Sequence, residues 1–303
     1  MANDGDLDPI LERVRIVPGK KVDLRGYPSD WERPEKYSLQ GMELSKNNAE
    51  RLLESSMKDL TKMQEVLWAD NRHSLLVILQ GMDAAGKDGI IKHVMSGVNP
   101  QGCQVTSFRV PSAEELDHDF LWRCVKVIPE KGKIGIFNRS YYEEVLVVKV
   151  HTKFLENQRL PVEKWDQSFW KNRYRSINDL ERHLALNGTV VIKFFLSVSK
   201  EEQKKRLLER IQTPEKRWKF NPGDIEEREL WPQYMSAYEE MLEATSTEHA
   251  PWYSLPADQK WLTRVLAAVI LASEIRSLGL RYPELPKEYL EAVEEAKAKL
   301  LKD

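Results

Sequence analysis

The stretch Ser74 to Val94 reads SLLVILQ-GMDAAGKDGIIKHV. An apolar run ends at Gln80, a glycine-rich loop follows, and a helical pattern takes over. The loop nearly matches G-x-x-x-x-G-K followed by Ser or Thr. Gly81, Gly86 and Lys87 stand in the right places, but Asp88 occupies the hydroxyl position. Such a motif carries weight only where it follows a strand and opens a helix. Here a buried strand over Ser74 to Gln80 and a helix over Asp88 to Gly97 meet that condition. The glycines let the backbone approach oxygen atoms. The amides of Gly81, Ala84, Ala85, Gly86 and Lys87, with the helix N-terminus, then hold phosphate. Lys87 brings a positive charge to the transferred group. Asp83 and Asp88 would repel phosphate unless a cation lay between, and Mg²⁺ takes carboxylate, water and phosphate oxygens. One or both acids are therefore candidate metal ligands, although a carboxylate at a helix start, as at Asp88, is favoured without any metal.

Outward from this loop, strands and helices alternate. Apolar residues at helical spacing predict a long amphipathic helix over Leu44 to Ala69. Further strands are read at Gln104 to Val110, Gly132 to Asn138, Thr189 to Ser199 and Trp252 to Ala257. Ser112 followed by Glu115 has capping-box spacing and begins a helix running toward Ile128. Other helices are read over Trp170 to Gly188, from Lys200 to Ile211, over Arg228 to Thr245, and to about Leu280. The alternation predicts an α/β fold: a parallel sheet of about five strands with helices on both faces. Residues 1–40 read as an extended arm, 41–285 as the catalytic domain, and 286–303 as a helical tail.

Composition narrows the partners. The chain has 303 residues, of which 41% are hydrophobic and 31% charged, and a formal net charge of −2. That balance argues against a general nucleic-acid binder while leaving room for a local basic channel. The start, MANDGDLDPI, lacks the regions of a signal peptide. No apolar run approaches a membrane span, and Val265 to Ala272 reads as a buried helix. Cys103 and Cys124 form neither a disulfide framework nor a metal motif, which suits buried thiols in a reducing cytoplasm.

Four motifs together carry a resemblance: GMDAAGKDG from Gly81, FRVPSAEELDHDFLWR from Phe108, IFNRSYYEEVLV from Ile136 and PEKRWKFNPGDIEER from Pro214. This set resembles the polyphosphate kinase 2 family, from about Asn48 to Tyr282. The asparagine in FNRS and the YEE after it look most like the class III branch, described as phosphorylating AMP and ADP at the expense of polyphosphate. The resemblance implies a P-loop kinase fold with a helical lid at about 206–228. It implies inorganic polyphosphate, AMP, ADP and ATP as partners, Mg²⁺ or Mn²⁺ as cofactor, and a homo-oligomer.

The same resemblance assigns roles. Lys87 and Arg139 would hold the phosphoryl group in flight. Asp83 would bind the metal between donor and acceptor, with Asp88 close by as ligand, proton acceptor or helix cap. Asn138 stands where many relatives have Asp, which shifts metal binding toward Asp83 and toward Glu143 and Glu144. Those two glutamates would bind a second ion or position the nucleotide; otherwise they are a solvated helix start. Arg109 and Arg123 are candidates for the acceptor's phosphates. On the basic run Lys204 to Lys219, Pro214 breaks the helix before Lys216, Arg217 and Lys219, while Trp218 and Phe220 alternate with the cations; this predicts a folded lid over polyphosphate. Arg206, Arg210 and Arg228 are second-rank partners, and Lys92 lies along the expected polyphosphate path. Nothing is carried over to His151 to Ser168, a segment longer than usual.

None of the 6 histidines has a carboxylate or metal-ligand spacing of note, so direct in-line transfer is expected rather than a phosphohistidine. Two other readings use the same fold: a nucleoside monophosphate kinase with a nucleoside triphosphate donor, and a nucleotide-binding protein that has lost catalysis, with Asn138 as the lesion.

Overall fold

The computed structural model describes residues 8–162 and 164–302. The expectations for residues 1–7 of the arm, for Glu163 and for residue 303 lie outside the described residues. The arm begins with helix α1 (Asp8–Val14), whose Ile10 and Val14 are buried. It ends in a two-residue hairpin, β1 (Ser38–Leu39) against β2 (Met42–Glu43). Apolar side chains distributed along the arm, including Ile16, Val22, Trp31 and Leu39, are buried in the common core, so it is an integral cover. Helix α2 (Ala49–Asp70) then buries Leu52, Leu60 and Leu67, spaced for one face. It stops at Asn71, whose left-handed conformation returns its N–H to the Leu67 carbonyl.

Strand β3 (Ser74–Gln80) is buried at all seven positions, as a central parallel strand covered on both faces requires. The phosphate-type loop leads into α3 (Lys87–Val94). Strand β4 (Cys103–Ser107) ends earlier than the sequence suggests. Its neighbour β5 (Ile134–Asn138) also ends there, with Ser107 opposite Asn138, so Arg109 and Val110 have no strand to pair with. Between these two strands the capping box forms in both directions: the Ser112 N–H donates to Glu115 and the Glu115 N–H to Ser112. The single helix expected from it divides into α4 (Ala113–Leu116) and α5 (Trp122–Val125). Asp119 is the cause, because its carboxylate takes the Leu121 N–H at 2.9 Å and offers the backbone a turn in place of a helix.

Past β5 come α6 (Val147–Val150), α7 (Gln167–Leu186) and β6 (Thr189–Ser197). Helices α8 (Lys200–Gln212), α9 (Gly223–Glu229) and α10 (Trp231–Thr245) follow. The core closes with β7 (Trp252–Pro256) and α11 (Lys260–Ser277), and α12 (Lys287–Leu300) trails behind. The five long strands form one parallel sheet in the order β4-β5-β3-β6-β7. Helices α2, α3 and α11 pack as one group, and α6, α7 and α10 as another. Val265 to Ala272 is buried throughout, within α11. The β7 edge is covered by the arm, where the Ile16 N–H donates to the Trp252 carbonyl at 2.8 Å. Among the described residues, no helix is long and apolar enough to cross a membrane.

One polar network sits inside this core. Lys193 of β6 and Glu181 of α7 are both fully buried and meet at 2.5 Å. The Lys193 ammonium also donates to the Tyr142 hydroxyl and the Thr245 carbonyl. Both Tyr141 and Tyr142 donate to Glu181, at 2.9 and 2.7 Å. Burial disfavours the Lys193 charge and pushes its pKa below the ordinary lysine value, with Glu181 opposing that shift. This network fixes the backbone that follows β5.

Candidate active site

In open parallel sheets, ligands collect at the carboxyl ends of the strands where the order reverses. Here β3 and β5 lie side by side and end together, with Leu79 opposite Asn138. The two loops leaving them face one cleft of about 660 Å³. The β3 loop is tightly folded: Gly86 has φ +116° and Ala84 has φ +63°. Gly81, at φ +153°, packs so closely on β6 that an added Cβ would lie 2.9 Å from the Leu196 carbonyl oxygen. Only glycine fits there.

Lys87 is nearly buried and donates to the Gly81 carbonyl at 2.6 Å and to Met82 at 3.2 Å. Burial, reinforced by the nearby Arg139 cation, lowers its pKa to about 8. Arg139 itself holds φ +66°, a strained value for a side-chain-bearing residue. Its N–H donates to the Leu79 carbonyl at 3.1 Å, tying the β5 loop to β3. One arm of its guanidinium pairs with Asp83, and the other meets Glu143 at 3.1 Å. The carboxylates of Glu143 and Asp83 hold the Arg139 pKa above its ordinary value. The Gln80 amide, turned so that its N–H meets Glu143 Oε1 at 2.9 Å, accepts from the Ser140 N–H at 3.1 Å. Asn138 donates to Asp88 at 2.9 Å, and Lys219 of the lid approaches the same carboxylate at 3.8 Å.

The cleft brings together Asp83, Ala84, Ala85, Gly86, Lys87, Asp88, Arg109, Asn138, Arg139, Arg206, Arg210, Lys216 and Lys219 from the expected set. Gly81 and Glu143 touch it through Lys87 and Arg139. Other expectations are corrected. Arg206 uses every donor on the protein itself: Glu202, and the carbonyls of Ala84, Ala85, Ala257 and Asp258. It braces the phosphate-type loop and has no N–H left for a phosphate. Glu144 is buried, and its carboxylate is taken by Arg173 at 2.6 Å and by Gln158 at 2.7 Å, which removes it from the metal candidates. Arg123 donates to the Arg109 carbonyl and shares with Glu144 a separate cavity of about 80 Å³. Arg228 donates to the Lys200 carbonyl and to Gln203, stitching α9 to α8. Arg217 bonds back to the Ile211 carbonyl, and Lys92 is exposed outside the cleft lining.

The lid is a 3₁₀ turn over Pro214–Lys219 followed by α9. The stretch 206–212 belongs to α8. Arg210 of α8 reaches Asp224 of α9 at 3.5 Å. Burial, together with the neighbouring Asp83, raises the Asp224 pKa. Trp218, 78% exposed, and Lys216, paired with Glu209, complete the roof. Lys260 and Arg264 of α11 form the wall that sequence reasoning missed. They belong to no motif and sit on a helix otherwise read as core; only their four-residue spacing at its polar start hints at a shared face.

The sign of the cleft follows directly. Among the described residues, nine cations line it (Lys87, Arg109, Arg139, Arg206, Arg210, Lys216, Lys219, Lys260 and Arg264) against three carboxylates, Asp83, Asp88 and Glu209. On a chain of net charge −2, this is a concentrated field for a polyanion. Among the described residues, no group of three or more His, Cys, Asp or Glu is placed to hold a metal ion.

Comparison with known proteins gives the same direction. The model of the family described as Polyphosphate kinase 2 (PPK2) matches residues 43–279. The chain is 50% identical over 274 residues to an ADP-polyphosphate phosphotransferase of Rhodopseudomonas palustris, covering 90% of this chain and 92% of that protein. It is 43% identical over 274 residues to an AMP/ADP-polyphosphate phosphotransferase of Meiothermus ruber, covering 90% and 96%. The crystal structure of polyphosphate kinase 2 from Arthrobacter aurescens TC1 superposes with a TM-score of 0.84 at 37% identity, covering 96% of this chain and 95% of that one.

Proposed function

The chain belongs to the polyphosphate kinase 2 family, and on that premise we propose that it transfers the terminal phosphoryl group of inorganic polyphosphate to AMP or ADP, forming ADP or ATP. The observation that carries this reading is the cleft: a phosphate-type loop at the end of β3 facing nine cations. Among the described residues, Trp218 is the one aromatic in its lining. A donor made only of phosphates needs cations along its length and no second base pocket.

Phosphoryl transfer depends on alignment, charge neutralisation and water exclusion. A phosphate oxygen of the acceptor attacks the terminal phosphorus of the donor, and the bond to the next bridging oxygen breaks. Lys87 and Arg139, from adjacent loops, converge on the place where charge spreads over the moving group. Asn138 and Arg109, at the end of β5 and beyond the end of β4, face the acceptor. Lys216 and Lys219 close from above and exclude water.

Mg²⁺ fits the donor set, with Mn²⁺ as the substitute. It takes one or two carboxylates and completes its shell with water and phosphate oxygens, and Asp83 in the loop and Asp88 in the first turn of α3 line the same cleft. These two would hold it, with Glu143 behind Arg139. The ion supplies charge neutralisation between the two anionic substrates. Until then Arg139 and Asn138 occupy the carboxylates.

We place the activity in the cytoplasm: Cys103 and Cys124 are free, and burial pushes their thiols up to about 11 and 12. The working unit is a homo-oligomer, a reading supported by the exposed apolar face of α12.

The test is direct. Purified protein is incubated with AMP or ADP, Mg²⁺ and polyphosphate, with no ATP present. ADP and ATP are the expected products. No product from either acceptor overturns the proposal, and product only with an added nucleoside triphosphate makes it a conventional nucleotide kinase.

A further inference from the structure

Strand β3 is apolar from Leu75 to Leu79 and then ends in an amide, Gln80, which is 0% exposed. A buried amide is costly unless both halves of it find partners. Here the partners lie in the loop after β5. The Gln80 amide N–H donates to Glu143 Oε1 at 2.9 Å, and its carbonyl oxygen accepts from the Ser140 N–H at 3.1 Å. The reverse orientation would set its oxygen on the Glu143 carboxylate and its N–H on the Ser140 N–H, so these neighbours fix the amide. The other Glu143 oxygen accepts from the Arg139 guanidinium at 3.1 Å. A chain of contacts therefore runs from the last residue of β3, through Glu143, to Arg139.

Arg139 is divided between two carboxylates, Asp83 and Glu143. In the proposed transfer it turns from Asp83 toward phosphate, and Glu143 is the partner left to aim it. Glu143 stands on a 3₁₀ turn (Tyr141–Val145) and has a long, rotatable side chain. One bond from arginine to one oxygen leaves such a carboxylate free to swing. The bond from Gln80 to the second oxygen removes that freedom. Gln80 is itself held by the sheet, where it lies opposite Phe195 of β6, while Leu79 before it lies opposite Asn138 of β5. Support from a buried strand is more exact than support from a loop.

We propose that Gln80 is a positioning residue: it fixes the Glu143 carboxylate so that Arg139 keeps its aim on the moving phosphoryl group once it leaves Asp83. The role rests on the proposed transfer reaction and adds to it a residue outside the cleft lining.

An amide and a carboxylate can exchange places across a hydrogen bond, and that exchange is the test. Gln80→Glu sets one carboxylate against another. Glu143→Gln sets an amide N–H against either the Gln80 N–H or the Arg139 guanidinium. The double variant, Gln80→Glu with Glu143→Gln, restores a donor facing an acceptor at each contact. Initial rates with AMP, Mg²⁺ and polyphosphate are measured for wild type and the three variants, with a thermal melt of each. Each single substitution should lower kcat about tenfold or more, with KM for polyphosphate within about twofold of wild type. The double variant should return kcat to within about threefold of wild type, the mark of two coupled residues. A merely structural amide would lower the melting temperature and leave kcat of the folded protein unchanged. Singles that keep wild-type kcat, a double variant no better than the worse single, or losses confined to KM overturn the proposal. Where a single variant does not fold, Gln80→Met, uncharged and similar in size, replaces it: a lowered kcat with the melt kept supports the role, and wild-type kcat overturns it. A wild type without turnover overturns the inference together with the reaction it rests on; an active wild type with unaffected variants overturns the inference alone.

Discussion

Two acids inside a phosphate-binding loop are the unusual feature, and geometry gives each a resting partner. Asp83 is held by Arg139 and Asp88 by Asn138. The loop thus has its charges paired at rest, and in the proposed reaction the same carboxylates would become available when phosphate draws Arg139 away. Asp83→Asn would remove the proposed metal ligand and leave Arg139 paired to Glu143 alone. Its turnover should fall by about 10²-fold or more, with the Mg²⁺ dependence moved to higher concentration; wild-type Mg²⁺ dependence would clear Asp83 of that role. Lys87 gives a pH signature. Its folded pKa, about 8, lies below the ordinary 10.5, so the ammonium proposed to hold the moving group is lost as pH rises through 8, and kcat/KM, which reports the free enzyme, should fall there. Stability moves the other way. Between about 8 and 10.5 the unfolded chain keeps a proton that the folded chain lacks, so this residue makes stability rise with pH across that window. Urea denaturation should show the rise in wild type and lose it in Lys87→Met; equal slopes would contradict the assignment.

At the scale of elements, the cleft is built from parts with different constraints. The β3 loop is braced from behind by Arg206 of α8, while the roof over it is a short 3₁₀ turn whose cations are held mostly by exposed pairs. A firm floor and a loosely held roof suit a polymer that must thread in and leave. Lys260 and Arg264 extend the basic wall beyond the lid, on the face of α11 that meets α3. Their joint replacement by Ala should raise KM for long-chain polyphosphate roughly tenfold, about 1.4 kcal/mol, with kcat little changed and salt sensitivity reduced. Initial rates over a polyphosphate titration decide it: an unchanged KM would put the chain elsewhere. Arg206→Ala should behave differently, lowering kcat because the loop loses its brace.

For the molecule as a whole, the buried Lys193–Glu181 pair joins the sheet to α7 and, through Tyr141 and Tyr142, steadies the backbone after Arg139. Breaking such a pair leaves an uncompensated buried charge and costs about 3–5 kcal/mol, whereas replacing both partners by apolar residues of similar size costs far less. Lys193→Met should therefore unfold at lower urea than wild type, and Lys193→Met with Glu181→Leu should recover much of the loss. A double variant less stable than the single would show that the pair is a net stabiliser in its own right.

Local signals settled the architecture and the chemistry. Apolar runs marked the strands, the Ser112 box a helix start, and the Gly81–Asp88 stretch the candidate phosphate site, because each depends on residues close together in the chain. Whatever depends on distant partners was illegible. The helix after Ser112 breaks because Asp119 captures a backbone N–H. Glu144 looked like its neighbour Glu143 until α7 supplied Arg173. Arg206 looked like a phosphate ligand until folding brought four carbonyls around it. Lys260 and Arg264 showed only a helical spacing, with no motif, until α11 packed beside the loop. A charged side chain takes its role from the groups that meet it, and for these residues only the tertiary structure decides which groups those are.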